Sequence, residues 1–210
     1  MNRIFEIWCG EQRSGKTYQL ADRIAALRVR PSIRCVLVFD RLGEYASSVE
    51  HGDEPYTAHD KFIADVAERG VPAVAVLQYG TEATPYWPAF SWAIREGDCV
   101  CVLDEAREFC PPGSSWRGAP HLREIVFAGR HLRNAAGSMC VAGLIVATQY
   151  PRSVHHDVHE QAETVMVSRL RGENGRAWVL GNFGAPELER VDALDFQRWA
   201  CLRGRDPRRG

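Results

Sequence analysis

Eight consecutive residues near the amino end, Gly10, Glu11, Gln12, Arg13, Ser14, Gly15, Lys16 and Thr17, carry the pattern G-x-x-x-x-G-K-[ST] at each fixed position. The glycines let the backbone wrap closely, so that successive N–H groups point at phosphate oxygens. Lys16 can reach the β- and γ-phosphates of a nucleoside triphosphate, and the Thr17 hydroxyl can ligate Mg²⁺. Tyr18 follows directly and belongs with the nucleotide-contacting residues. The chain has only two lysines, Lys16 and Lys61, among its 26 basic residues, and one of the two stands where the motif requires it.

A second pair of chemically capable residues is Asp104 and Glu105, directly after the apolar run at 99–103. Asp104 would hold Mg²⁺, directly or through water, and Glu105 would orient and deprotonate an attacking water. Gln149 ends another apolar run, where it could hydrogen-bond the γ-phosphate or the lytic water and report hydrolysis. A kinase acting on a small molecule has no need of a water-activating Glu beside the metal Asp. A GTPase would carry an Asn/Thr-Lys-x-Asp base-recognition sequence, and none is present. ATP hydrolysis coupled to movement is the better reading. His155, His156 and His159 are not expected to bind metal, since they lack HExxH spacing and nearby ligating cysteines.

These residues must be brought together by the elements that carry them. Apolar runs at 3–9, 34–40, 73–78, 99–103, 141–148 and 164–170 predict strands, with an edge strand at 196–203. Helices are expected at 15–28, 61–69, 87–95 and 120–135. Strands of this kind alternating with helices imply an α/β fold with a mainly parallel central sheet covered by helices on both faces. Ligands of such sheets bind at the carboxyl ends of the strands, where the Gly-rich turn, Asp104, Glu105 and Gln149 all fall. Neither an internal repeat nor an interdomain linker is evident, so 1–210 reads as one ATPase domain, with a motor core at about 3–171 and an extension at about 172–210.

At 45% hydrophobic and 25% charged, the composition is that of an ordinary globular protein. The net charge of −1 excludes a generally basic nucleic-acid coat, so any DNA contact must come from local patches or an assembled surface. Seven cysteines without a CxxC pair argue for reduced thiols rather than a disulfide framework or zinc ribbon. The amino end is too short and polar for a signal peptide and no run is long enough to span a membrane, so a cytoplasmic protein is expected.

Several segments taken together resemble the HerA/FtsK superfamily of DNA-pumping ATPases. Val102 to Pro111 is similar to the strand "LEEAHNF-P", and Asp40, Gly43, Glu44 and Tyr45 are similar to "D-x-x-G-E-Y". Gly129, Arg130, Arg133 and Gly137, followed by Ala147, Thr148, Gln149 and Pro151, resemble "GR-x-x-G…ATQ-x-P". Gln161, Ala162, Thr164, Arg169 and Leu170 resemble "Q-A-x-T…-RL". Tyr150 departs from the usual Arg of "TQRP", and extra residues separate Arg133 from the strand that follows. The match covers roughly residues 3–171.

The resemblance implies a three-layer P-loop NTPase fold of the RecA/FtsK-like type, with ATP and Mg²⁺ as cofactors and double-stranded DNA as partner. At this length the chain looks most like the genome-packaging ATPases of tailless, membrane-containing icosahedral viruses. That implies a homo-oligomeric ring, expected to be a hexamer, which pumps DNA into a preformed capsid. It also implies virion association in an infected host cell, with capsid vertex or membrane proteins as further partners. Such rings complete each site with a neighbour's arginine, for which Arg130 and Arg133 are candidates, with Arg152 second. DNA-facing candidates are Trp116, Arg117 and Arg152. Two other readings stay open: a cellular or plasmid-borne translocase of the same superfamily in repair or conjugation, and an assembly protein that uses nucleotide as a structural switch without motor activity.

Overall fold

The structure, a computed structural model, describes residues 4–45, 54–113, 120–128, 133, 137 and 143–204. Among these, seven strands form one sheet: β1 (Ile4–Cys9), β2 (Cys35–Phe39), β3 (Val74–Leu77), β4 (Cys99–Leu103), β5 (Gly143–Thr148), β6 (Thr164–Ser168) and β7 (Trp199–Arg203). Their order is β3-β2-β4-β5-β1-β6-β7. All neighbours pair in parallel except β6 and β7, which are antiparallel. β5 therefore lies between β1, which leads into the Gly-rich turn, and β4, which ends at the two acids. The three strand ends that carry the candidate chemistry are adjacent.

Alternation along each strand splits the core in two. Phe5, Ile7 and Cys9 of β1, with Cys99, Cys101 and Leu103 of β4, face one side, where they meet helices α2 (His59–Arg69), α3 (Trp87–Glu96) and α4 (Pro120–Ala128). The same side holds α5 (His156–Gln161), α6 (Glu173–Phe183) and α7 (Ala185–Asp192), whose Val158, Trp178 and Val191 join that core. Trp8, Val100, Val102 and Ile145 face the other side and pack on Leu20, Ile24 and Leu27 of α1 (Lys16–Arg28). The sheet thus has helices on both faces, as expected, but the layers are unequal. Among the described residues α1 is the one helix on its side.

α1 is fixed to the sheet by more than apolar contact. The Arg23 guanidinium meets the Glu6 carboxylate at 2.5 Å, and Trp8 Nε1 donates to the same carboxylate at 3.0 Å. Both charged groups are buried. One half of such a pair left alone in the interior would be strongly destabilising, so each holds the other in place.

The sequence-based boundaries differ from the structure mainly at the carboxyl side. The edge strand begins at Trp199, because residues 195–198 are taken up by a tight turn closed by Arg198 N–H to the Asp195 carbonyl at 3.1 Å. Helices α5, α6 and α7 were not anticipated. α6 holds Gly175 and Gly181, which weaken a helical signal, and is formed because Trp178 and Val179 are buried. α4 occupies the first part of the expected 120–135 helix, and most of the remainder lies outside the described residues. Cys9, Cys35, Cys99, Cys101 and Cys110 are buried free thiols, and burial pushes those of Cys99 and Cys110 up to about 12. No helix among the described residues is long and apolar enough to cross a membrane.

Candidate active site

The Gly-rich turn leaves the end of β1 and folds back to start α1. Gly10 N–H donates to the Thr148 carbonyl at 3.1 Å, tying the turn to the end of β5. A side chain at Gly10 would collide with Ser14 Oγ and would stand 2.7 Å from Ser168 Oγ and 2.8 Å from Trp199 Cη2, so any larger residue would force these side chains to shift. Gly15 adopts φ +80° and Arg13 φ +66°, left-handed conformations that curl the backbone into a concave row of amides. α1 starts at Lys16 with no side chain capping its first turn, which leaves N–H groups and the positive end of the helix facing the concavity.

A cleft of about 340 Å³ opens there. Gln12, Arg13, Lys16 and Thr17 line one wall, and Glu44, Asp104, Glu105 and Gln149 line the other. Tyr18 stands at its rim, 69% exposed. Ser14 lies beneath the loop with its Oγ buried near Gly10. Glu11 also lines the cleft, but its carboxylate accepts the backbone N–H groups of Arg171 and, at 2.8 Å, of Gly172. That side chain ties the loop to the entrance of α6.

The acids are set by the backbone and by each other. Glu105 has φ +53° and ψ +63°, a left-handed conformation that costs a non-glycine residue about 1–2 kcal/mol. The reversal turns its side chain back beside β5, where Thr148 Oγ1 donates to Glu105 Oε1 at 3.2 Å. Thr148 Oγ1 in turn accepts the Tyr150 N–H at 3.0 Å, so the hydroxyl is held in the donating orientation. Asp104 Oδ1 accepts the Glu105 N–H at 3.1 Å.

Sequence reasoning gave no role to Glu44, although the segment "D-x-x-G-E-Y" was visible. Asp40, fully buried at the end of β2, accepts the N–H groups of Gly43, Glu44 and Tyr45 at 2.8, 3.0 and 2.9 Å, and Gln78 Nε2 at 3.1 Å. This carboxylate folds the loop so that Glu44 Oε2 accepts the Thr17 hydroxyl at 2.6 Å. Thr17 is therefore linked to Glu44 here. Thr148 was missed for a different reason: a threonine closing a buried strand carries no signal until its partner is known.

Asp104 shows what this arrangement does to charge. Burial is the main cause of a carboxyl pushed up to about 7, and Glu44, Glu105 and Asp40 add to it against the opposing pull of Lys16. Hard carboxylate and hydroxyl oxygens gathered around one cleft with too little positive charge fit a small divalent cation. Thr17, Glu44 and Asp104 are the residues that would hold it.

The remaining candidates are dispersed. Arg152 lies exposed in the 3-10 turn Pro151–Ser153 and lines a neighbouring recess with Gln149 and Tyr150. Arg133 is exposed and donates to the Gly137 carbonyl at 3.0 Å. Neither lines the cleft. Arg130, Trp116 and Arg117 lie outside the described residues. His155, His156 and Asp157 do cluster, with ligating atoms within 4.8 Å, but His155 Nδ1 is already engaged by the Asp157 N–H at 3.3 Å.

No protein-family model and no curated protein matches the chain. Solved structures do resemble it. The genome packaging NTPase B204 from Sulfolobus turreted icosahedral virus 2, in complex with AMP, matches at TM-score 0.68 and 20% identity over 98% of this chain and 100% of that one. B204, the DNA-packaging ATPase from Sulfolobus turreted icosahedral virus, matches at 0.66 and 20% over 97% and 98%. The pCW3 conjugation coupling protein TcpA with ATPγS matches at 0.56 and 17%, over 97% of this chain and 58% of that one. Likeness at this level of identity is likeness of fold, and it agrees with the strand order: the chain has the three-layer α/β fold of the P-loop NTPases.

Proposed function

We propose that this protein is a Mg²⁺-dependent ATPase that moves double-stranded DNA as a ring of identical subunits, packaging a viral genome into a preformed capsid. The observation that carries the ATPase is the meeting, around one cleft, of the Gly-rich turn after β1, the Thr148–Gln149 end of β5 and the Asp104–Glu105 end of β4.

Each residue has work to do there. Backbone amides of residues 10–17 and the Lys16 ammonium would hold the phosphates. Bound Mg²⁺ would neutralise phosphate oxygens and supply Lewis acidity. Glu105 accepts a proton from the attacking water as its oxygen bonds to the γ-phosphorus and the bond to the ADP oxygen breaks. Thr148 occupies Oε1 of that carboxylate, which leaves Oε2 to take the proton. Gln149 orients the water or senses loss of the γ-phosphate. An arginine from a neighbouring subunit, Arg130 or Arg133 in the first instance and Arg152 in the second, would stabilise the charge developing on the phosphoryl group.

The DNA-packaging part rests on the resemblance of the sequence blocks and on likeness of fold, over nearly the whole of both chains, to two viral packaging NTPases. Trp116, Arg117 and Arg152 are the proposed DNA contacts. Likeness to a conjugation coupling protein favours, as a second reading, a plasmid or cellular translocase.

The test is triplex displacement by purified protein with Mg·ATP and linear double-stranded DNA. Wild type is expected to hydrolyse ATP faster with DNA and to displace the third strand, whereas Glu105→Gln binds ATP and does neither. Hydrolysis without displacement would retain the ATPase and reject the motor. ATP binding without hydrolysis by wild type would point instead to a nucleotide switch.

A further inference from the structure

The phosphate cleft does not end at Lys16. Gly15, Tyr18, Phe196 and Gln197 belong both to its wall and to that of a second lobe, of about 510 Å³, completed by Gln19 and Arg198. The two lobes form one trough, with cation-binding acids at one end and aromatic rings at the other. Tyr18 is 69% exposed and Phe196 63%. Large apolar rings left this open on the rim of a ligand cleft are surface awaiting cover.

Phe196 and Gln197 reach the trough on the turn that precedes β7. Gln197 has φ +60°, where glycine or asparagine is the economical residue. Its side chain lies across Gly15, with Cγ 3.5 Å from where a Cβ on that glycine would stand. Backbone strain of this kind persists where the surrounding structure over-determines it and is common at ligand clamps. Glycine in this position would relax the turn and remove the amide from the trough.

We propose that the turn at residues 195–198, together with Tyr18, is the seat of the nucleotide's purine base. The base lies against the Phe196 and Tyr18 rings, with the Gln197 amide offering one donor and one acceptor to its edge or to the ribose. The assignment rests on the phosphate-site reading above and extends it to a part of the chain outside every sequence motif. It also gives the carboxyl-terminal segment a part in nucleotide binding, since β7 holds this turn over the Gly-rich loop. A neighbouring recess shares Phe196 and Gln197 but is lined besides by Glu11, Arg13, Arg169 and Arg171, with no second aromatic ring among the described residues, which suits it poorly to a planar neutral base.

The experiment compares Mg·ATP with inorganic tripolyphosphate by calorimetry on the wild type, Phe196→Ala, Tyr18→Ala and Phe196→Trp. Phe196→Ala and Tyr18→Ala are each expected to weaken Mg·ATP binding by about 5- to 150-fold, the range for a base stacked on an aromatic side chain. Tripolyphosphate affinity should stay within about twofold of wild type, and Phe196→Trp should restore ATP binding. Both rings are exposed, so an unchanged melting temperature is expected and serves as the control for folding. Unchanged ATP affinity in Phe196→Ala, or an equal loss for tripolyphosphate, would overturn the base seat while leaving the phosphate site standing. A wild type that binds neither ligand would overturn both.

Discussion

Glu6 and Asp104 are both buried acids at this sheet, and their charges are handled in opposite ways. Glu6 meets the Arg23 guanidinium and the Trp8 indole N–H, so its negative charge is matched on the spot. Asp104 sits among Glu44, Glu105 and Asp40 with Lys16 as the opposing charge, and its carboxyl is held up near neutrality. The first arrangement fixes α1 against β1 and thereby aims the start of that helix. The second leaves negative charge unmet, which weakens the unliganded fold and favours a cation when one arrives. Burial alone does not tell a structural acid from a functional one; the partner does.

The contrast is broken most severely at Glu105. Glu105→Gln removes the proton acceptor and is expected to lower kcat by about 10²- to 10⁴-fold while ATP affinity changes little, as read by phosphate release and calorimetry. At the other acid the loss should be in stability. Glu6→Ala leaves Arg23 buried alone and should cost about 3–5 kcal/mol in a denaturant melt, whereas Glu6→Met with Arg23→Met should recover most of it.

Asp104→Asn tests the unmet charge through pH. Because the folded-state value of Asp104 is raised above that of an unfolded chain, the folded protein binds this proton more tightly. Its contribution to stability is present at low pH and is lost as pH rises from about 4 through about 7. The variant should therefore melt higher than the wild type above pH 7, with the gap closing toward pH 4, and Mg·ATP should narrow it for the wild type alone. The smallest effect is expected for Thr148→Val, which removes the hydroxyl that orients Glu105. A drop of roughly tenfold in kcat, with the melting temperature nearly unchanged, would fit the loss of one hydrogen bond to a charged group.

The phosphate loop and the acid pair were legible in sequence because their spacing is fixed by the chemistry they share with one ligand. The strands were legible because residues such as 35–39 and 99–103 are buried on both faces and so read as unbroken apolar runs. Glu44 and Thr148 were not, since each acts through one contact made across the sheet, 27 residues from Thr17 and 43 from Glu105. Phe196 and Gln197 left even less trace. A phenylalanine beside a glutamine near the end of a chain means nothing until the fold lays them across Gly15.

The proposed activity requires one cleft in which the Gly-rich loop and the acids from β4 act on the same bound molecule. Its most direct test is a titration of wild type and Glu105→Gln with Mg·ATP, measuring heat of binding and phosphate released from the same samples. Both proteins should give saturable heat of similar affinity, and only the wild type should release phosphate beyond one equivalent. No heat from the wild type, or equal phosphate release from the two, would contradict it.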